Sequence, residues 1–347
     1  MAKFRDKEKL DYAALKRELK ANGPEPLYLL WGPEDYLIAD FVAALRDECV
    51  APDMRDFDAK RLNGPLPDVQ DVEEALNAMP FFGGRTFLEL IGFDVNRCRD
   101  DKMAKLLSDI PEWCTVVITL PSGVSPDGRL SFIKQIKKSG KAVEFTAQDQ
   151  SMLFRWIARR FDSAGKSIDR PAMERLVFLS GDLMNRLIPE IDKISAYAPG
   201  ERVTVADVDA VAHHIPEASA FEMTDRISLG DYDGAAHYLA ELLSGDAEPT
   251  EILGAVGWQM RRLYAARLAL DARAPDTLLR EVLSINSDYA LRRLKDAAGR
   301  FSLPALRRDV RHVAEYAMRT REQGAALDET EALKELLIRF IMESRHA

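Results

Sequence analysis

Short apolar runs return between helical stretches up to about residue 147 and then stop, and this alternation most constrains the fold. LYLLW (27–31) is followed by RDFDAKRLNG, RTFLELIGF, CTVVITL and KAVEF, with DYLIADFVAALRDEC, DVQDVEEALNAM, DKMAKLLSDI and RLSFIKQIKK between them. Strands separated by helices of about ten residues predict βαβ units and a largely parallel sheet. A helix over 5–21 is expected to precede them, with Tyr12, Leu15 and Leu19 on one stripe. The next helix directs Leu37, Phe41 and Leu45 inward, and the one after is broken at Pro80.

From about Asp149 the pattern is helical only. MLFRWIARRFDSAG ends at Gly165, and DRPAMERLVFLSG carries Asp169 as N-cap with Pro171 in the first turn. DLMNRLIPEIDKISAYA continues across Pro189, where a local kink is expected, and Thr204 can cap the short segment that follows. PEAS, 216–219, reads as a linker to five further helical segments. The expected organisation is an α/β domain over 1–147, a small helical domain over 148–215 and an all-helical domain over 216–347.

The chain of 347 residues is 47% apolar and 30% charged, enough to bury substantial cores. No run of apolar residues is long enough to span a membrane, and the charged N-terminus lacks the apolar stretch of a secretion signal. Cys49, Cys98 and Cys114 are scattered, which points to a reducing, cytoplasmic setting rather than a disulfide framework. The net charge of −9 discourages nucleic-acid binding, but it is unevenly distributed. From Ala255 onward 17 Lys and Arg outnumber 13 Asp and Glu, which leaves room for a locally positive surface.

YLLWGPEDYL, 28–37, begins like a phosphate-binding turn and then departs from it. Such a loop needs glycines whose amides wrap phosphate, a lysine and a hydroxyl. Gly32 is followed instead by Pro33, Glu34 and Asp35, which remove a donor and place two carboxylates where phosphate charge would sit. No acidic pair suited to magnesium ends RTFLELIGF, although Glu89 lies mid-strand and Asp94 just beyond. The plainer reading is that Gly32 turns the chain and the carboxylates favour the next helix N-terminus.

NAMPFFGGRTF, 77–87, is the second unusual stretch. Phe81 and Phe82 are either core residues at a helix end or an exposed apolar plug for a partner's pocket. Arg261, Arg262, Arg307, Arg308 and Tyr316 recur along helices, where they form either a solvated face or one that approaches a nucleic-acid backbone and stacks on a base. His213–His214 is adjacent rather than spaced for a metal, His237, His312 and His346 are isolated, and no nucleophile has a base nearby in sequence. No metal or cofactor is expected.

Taken together, YLLWGPEDYLIADFVAAL, NAMPFFGGRTFLEL, SGDLMNRLIPEIDKISAYA and the layout between them resemble the delta-subunit family of the bacterial DNA polymerase III clamp loader. The resemblance extends over about residues 10–340. It implies an AAA+-like α/β domain, a small helical lid and a helical collar that joins the other loader subunits. It also implies an ATPase-like chain that binds no ATP and has no catalytic activity alone within a DNA polymerase III holoenzyme, in keeping with Gly32–Asp35. The family's helix-end apolar pair, which binds and opens the ring-shaped beta sliding clamp, falls on Phe81 and Phe82, with Met79 and Pro80 shaping the approach. Further partners implied are the motor (gamma/tau) and delta-prime subunits and, within the complex, primer-template DNA. SGDLMNRLIPEIDK falls where active relatives carry a nucleotide-sensing arginine, and Arg186 lies nearby, with no phosphate loop to sense. A divergent P-loop-type hydrolase and an autonomous nucleic-acid-binding module are the alternatives.

Overall fold

The computed structural model describes residues 12–81, 83–245, 247–285, 287–323 and 329–344. Two compact units emerge, one of residues 1–148 with Leu183–Asn185, the other of Asp149–Asp182 with residues 186–347.

In the first unit the elements run α1 (Tyr12–Asn22), β1 (Leu27–Trp31), α2 (Asp35–Cys49), a 3-10 turn at Pro52–Met54, α3 (Arg55–Asp58), β2 (Ala59–Asn63), α4 (Val69–Asn77), β3 (Thr86–Ile91), α5 (Asp101–Leu106), β4 (Cys114–Thr119), α6 (Ser131–Ser139) and β5 (Lys141–Glu144). The five strands form a parallel sheet in the order β2-β3-β4-β1-β5. β1 is buried throughout, as a central parallel strand covered on both faces must be. Leu27, Leu29 and Trp31 join one core with Val72, Leu76, Leu88, Leu90 and Ile133. Tyr28 meets Phe41 of α2 at 5.6 Å, with Phe145 against Phe41 at 6.0 Å. Leu15, Leu19, Leu37, Phe41 and Leu45 are buried as expected, and the part of the opening helix before Tyr12 lies outside the described residues.

RDFDAKRLNG divides: its first four residues form a helical turn, and only Ala59–Asn63 pairs with β3. α4 ends at Asn77, ahead of Pro80. A residue before proline is driven out of the helical region, and the backbone is already extended at Ala78.

The second unit contains α7 (Gln150–Ser163), β6 (Ser167–Ile168), α8 (Arg170–Ser180), α9 (Met184–Tyr197), β7 (Arg202–Val203), α10 (Val205–Val211), α11 (Pro216–Leu229), α12 (Tyr232–Ser244), α13 (Pro249–Asp271), α14 (Asp276–Leu283), α15 (Asp288–Arg300), α16 (Leu303–Gln323) and α17 (Glu329–Ser344). The first residues of α9, Met184 and Asn185, group with the first unit. Asp169 caps α8, Pro171 stands in its first turn, and Thr204 forms a capping box with Asp207. α9 continues through Pro189.

Two expectations for this region are corrected. Strands do not stop at Asp149: β6 and β7 pair in parallel, Ser167 with Arg202 and Ile168 with Val203, a contact too short to show as a period-two pattern. PEAS is no linker. Pro216 opens α11 and Ala218 and Ser219 are buried, because proline at the first helical position needs no amide partner and presets the backbone angle. Among the described residues, no helix is long and apolar enough to cross a membrane.

Candidate functional site

The strand order locates the first place to look. Ligands of open parallel sheets bind beyond the carboxyl ends of the strands, where successive connections leave in opposite directions. β1 lies between β4 and β5, so its carboxyl end is that position, and Gly32–Asp35 follow it directly.

The loop is closed on its own chain. Phe145 donates its amide to the Trp31 carbonyl at 2.7 Å and receives the Glu34 amide on its own carbonyl at 3.3 Å. Gly32 sits at φ +127°, and a Cβ there would lie 2.2 Å from the Phe145 oxygen. A loop that cradles phosphate directs its amides at an open centre. Here Pro33 has no amide hydrogen, and that of Glu34 is committed to Phe145. The Glu34 side chain is fully buried, and its Oε1 accepts from the Met184 amide at 3.2 Å, within the first unit. It stands at the N-cap of α2 without a side-chain capping bond, and its carboxylate turns to Met184. Asp35 remains exposed in the first turn of α2. Glu89 pairs with Arg61 at 2.9 Å, and Asp94 accepts from the Asn96 amide.

The opposite end of the sheet carries an apolar patch. Met79 is 72% and Phe81 69% exposed, while Pro80 is half-buried. Phe82 lies outside the described residues. Gly83 and Gly84 hold φ of +84° and +94°, the left-handed region that lets the chain reverse before β3. Phe57 is 70% exposed, and its ring stacks on Phe81 with centroids 5.7 Å apart. Sequence reading placed Phe57 in a strand and missed it. The signal that finds it is the register: Ala59 pairs with Phe87, so residues just before β2 lie beside those just before β3.

The cationic set on α13 and α16 is not a single face. Arg261 and Arg307 are exposed. Arg262 stacks over Trp258 at 4.0 Å and is mostly buried, which pushes its pKa down to about 10. Arg308 pairs with Glu343 at 2.7 Å and with Asp309 at 3.4 Å. Tyr316 is only 5% exposed and donates its hydroxyl to the Glu329 carbonyl at 3.0 Å. The base-stacking expectation for Tyr316 is thereby corrected: an aromatic on the inner stripe of α16 was drawn into the helical core.

Asp309, His312 and Glu343 bring donor atoms within 4.8 Å of one another. The Arg308 guanidinium already supplies a cation between the two carboxylates, so the cluster reads as an ion-pair network. Burial pushes the Asp309 carboxyl up to about 6, with Glu343 adding to the shift and Arg308 opposing it. A carboxyl that holds its proton more tightly when folded stabilises fully below its unfolded pKa, and that stability is lost as pH rises through the folded one. The loss is roughly 2 kcal/mol between pH 4 and 6. Urea midpoints measured at both pH values for wild type and Asp309→Asn check this. The variant is expected to gain on the wild type as pH rises, and parallel profiles would show the carboxyl to be unperturbed.

Residues 28–146 match the family described as DNA polymerase III, delta subunit. That segment contains both the closed loop and the apolar patch. The chain is similar to the DNA polymerase III subunit delta of Bacillus subtilis (strain 168), 21% identical over 322 residues that cover 90% of this chain and 92% of the relative. Among solved structures, the Bacillus subtilis DNA clamp loader delta protein aligns with a TM-score of 0.51 and 18% identity, over 96% of this chain and 100% of that one. At that identity the structural likeness speaks for the fold.

Proposed function

We propose that this chain is a non-catalytic subunit of a DNA polymerase III clamp loader that binds the beta sliding clamp through Met79–Phe82 and favours its open state. The family match and the similar relative support a clamp-loader-related function in general; the clamp-opening step is our reading. The observation that carries it is the exposure of Met79 and Phe81 on the segment that matches the delta-subunit family. The exposed Phe81 ring keeps little of the apolar stabilisation that burial would provide, about 2 kcal/mol for a phenylalanine. A pocket on the clamp would supply it. If that pocket is better formed in the open or strained ring, binding shifts the population toward opening by the difference in affinity alone.

The closed Gly32–Asp35 loop supports a division of labour in which ATP acts on the motor (gamma/tau) subunits. In this reading α11–α17 form the collar that contacts those subunits and delta-prime, in the cytoplasm. Arg261 and Arg307, both exposed, are the cations left to approach primer-template DNA within the complex.

The test is equilibrium binding of the full chain to the same organism's sliding clamp, beside the double substitution Phe81→Ala, Phe82→Ala. Loss of two aromatic anchors is expected to weaken binding by about 100-fold or more with the fold intact. Equal binding by both proteins would place the contact elsewhere and sink the reading.

A further inference from the structure

We infer that the docking element is a composite of two chain segments, in which Phe57 supplies a further docking side chain and Asp58 is the positioning residue that sets Phe81. This rests on the clamp-binding reading above and extends it to residues outside 79–82.

Three observations carry it. α3 ends at Asp58 directly before β2, while the Pro80–Gly84 turn runs directly into β3, and the parallel pairing of β2 with β3 sets these two entrances side by side. The Asp58 side chain, buried to 7% exposure, accepts the Phe81 amide on Oδ1 at 3.0 Å. A buried carboxylate that takes a backbone N–H fixes that backbone strongly, and it does so here in a turn whose glycines would otherwise leave it free. Finally, the Phe57 and Phe81 rings lie 27° from parallel at 5.7 Å, yet both stay about 70% exposed. Their stacking leaves most of each ring facing outward, so the pair forms a continuous apolar surface that one pocket can cover. An anchor held in its bound conformation before docking loses less entropy on binding. The occupant is therefore the same apolar pocket of the clamp, wide enough for Phe57 as well as Phe81.

Full-length wild type, Phe81→Ala, Phe57→Ala, Asp58→Ala and Asp58→Asn are titrated against the sliding clamp, and amide exchange is followed across residues 79–84 in the free proteins. Phe57→Ala is expected to weaken binding about tenfold, as an interface aromatic does. Asp58→Ala is expected to weaken it about fivefold and to speed exchange of the Phe81 amide. Asp58→Asn keeps an oxygen acceptor, so affinity and protection should return to within about twofold of wild type. If Phe81→Ala loses binding but Phe57→Ala binds as wild type or tighter, Phe57 is a bystander or a cover, and its docking role is overturned. If Asp58→Ala leaves both exchange and affinity unchanged, its positioning role is overturned. If wild type and Phe81→Ala bind equally, or neither binds, the clamp-binding reading itself fails and the role of Phe57 falls with it. The exchange data still decide whether Asp58 holds the turn.

Discussion

Gly32→Ala is expected to destabilise the first unit by about 3–5 kcal/mol, from left-handed strain and overpacking together. At φ +127° any Cβ is strained, and this one would stand 2.2 Å from the Phe145 oxygen and 2.8 Å from its nitrogen and carbonyl carbon. Those are backbone atoms just past the end of β5, which no rotamer change can move. Relief would require breaking the pair of hydrogen bonds that joins Trp31 and Glu34 to Phe145. Denaturant unfolding of the full chain, with amide exchange read over residues 27–31 and 141–145, checks the result. The contrast with a working phosphate loop is instructive, because there a glycine makes room for a ligand. A Gly32→Ala protein within about 1 kcal/mol of wild type would mean that the loop is open and the backbone closure wrong.

Glu222→Ala should cost the second unit about 3–5 kcal/mol, the range for breaking a buried ion pair from one side. Glu222 of α11 is 3% exposed, and its Oε1 accepts from Arg175 and Arg293, each at 2.5 Å. Burial alone would lower the pKa of both arginines, but the charge and hydrogen bonds of Glu222 outweigh it and hold both above the usual value. Burial likewise opposes ionisation of Glu222, and the arginines overcome it, Arg293 foremost. Arg293 also lies over the rings of Phe221 and Phe178, at 4.8 and 5.1 Å. Removing the carboxylate leaves two half-desolvated guanidinium groups whose remaining carboxylate partners among the described residues are Asp209 and Asp225. Glu222→Gln, which keeps an acceptor but no charge, should lose less. The paired change Glu222→Leu, Arg293→Met should recover part of the loss, since replacing both ions removes the uncompensated charge. Urea unfolding of the three variants decides it, and a loss below about 1 kcal/mol for Glu222→Ala would show the network to be solvated.

The elements that were legible along the chain share a physical cause. β1, β3 and β4 are central strands buried on both faces, so short stretches made mostly of apolar residues (LYLLW, TFLELI, CTVVIT) mark them without reference to any partner. Asp169, Thr204 and Pro171 act within one helical turn, so their roles follow from neighbours in sequence. The errors came where the deciding partner was distant. Phe57 was read into a strand because only the register with β3 distinguishes the edge strand β2 from the turn before it. Tyr316 was grouped with arginines because helical spacing cannot tell which face the core will take. The partner of the buried Glu34 carboxylate, Met184, lies 150 positions away, and no local pattern points to it.

The candidate site divides along the same line. By itself the sequence determined that the loop after β1 carries no lysine or hydroxyl for phosphate, and that an apolar turn with two glycines follows α4. Both are facts of residue identity at adjacent positions. Only the tertiary structure decided that the first loop is sealed by Phe145 and that the second presents Phe81 outward against Phe57, with Asp58 holding its amide. Those outcomes depend on which strands pair and in what register, and parallel pairing joins residues far apart in the chain, whose energies no local pattern records.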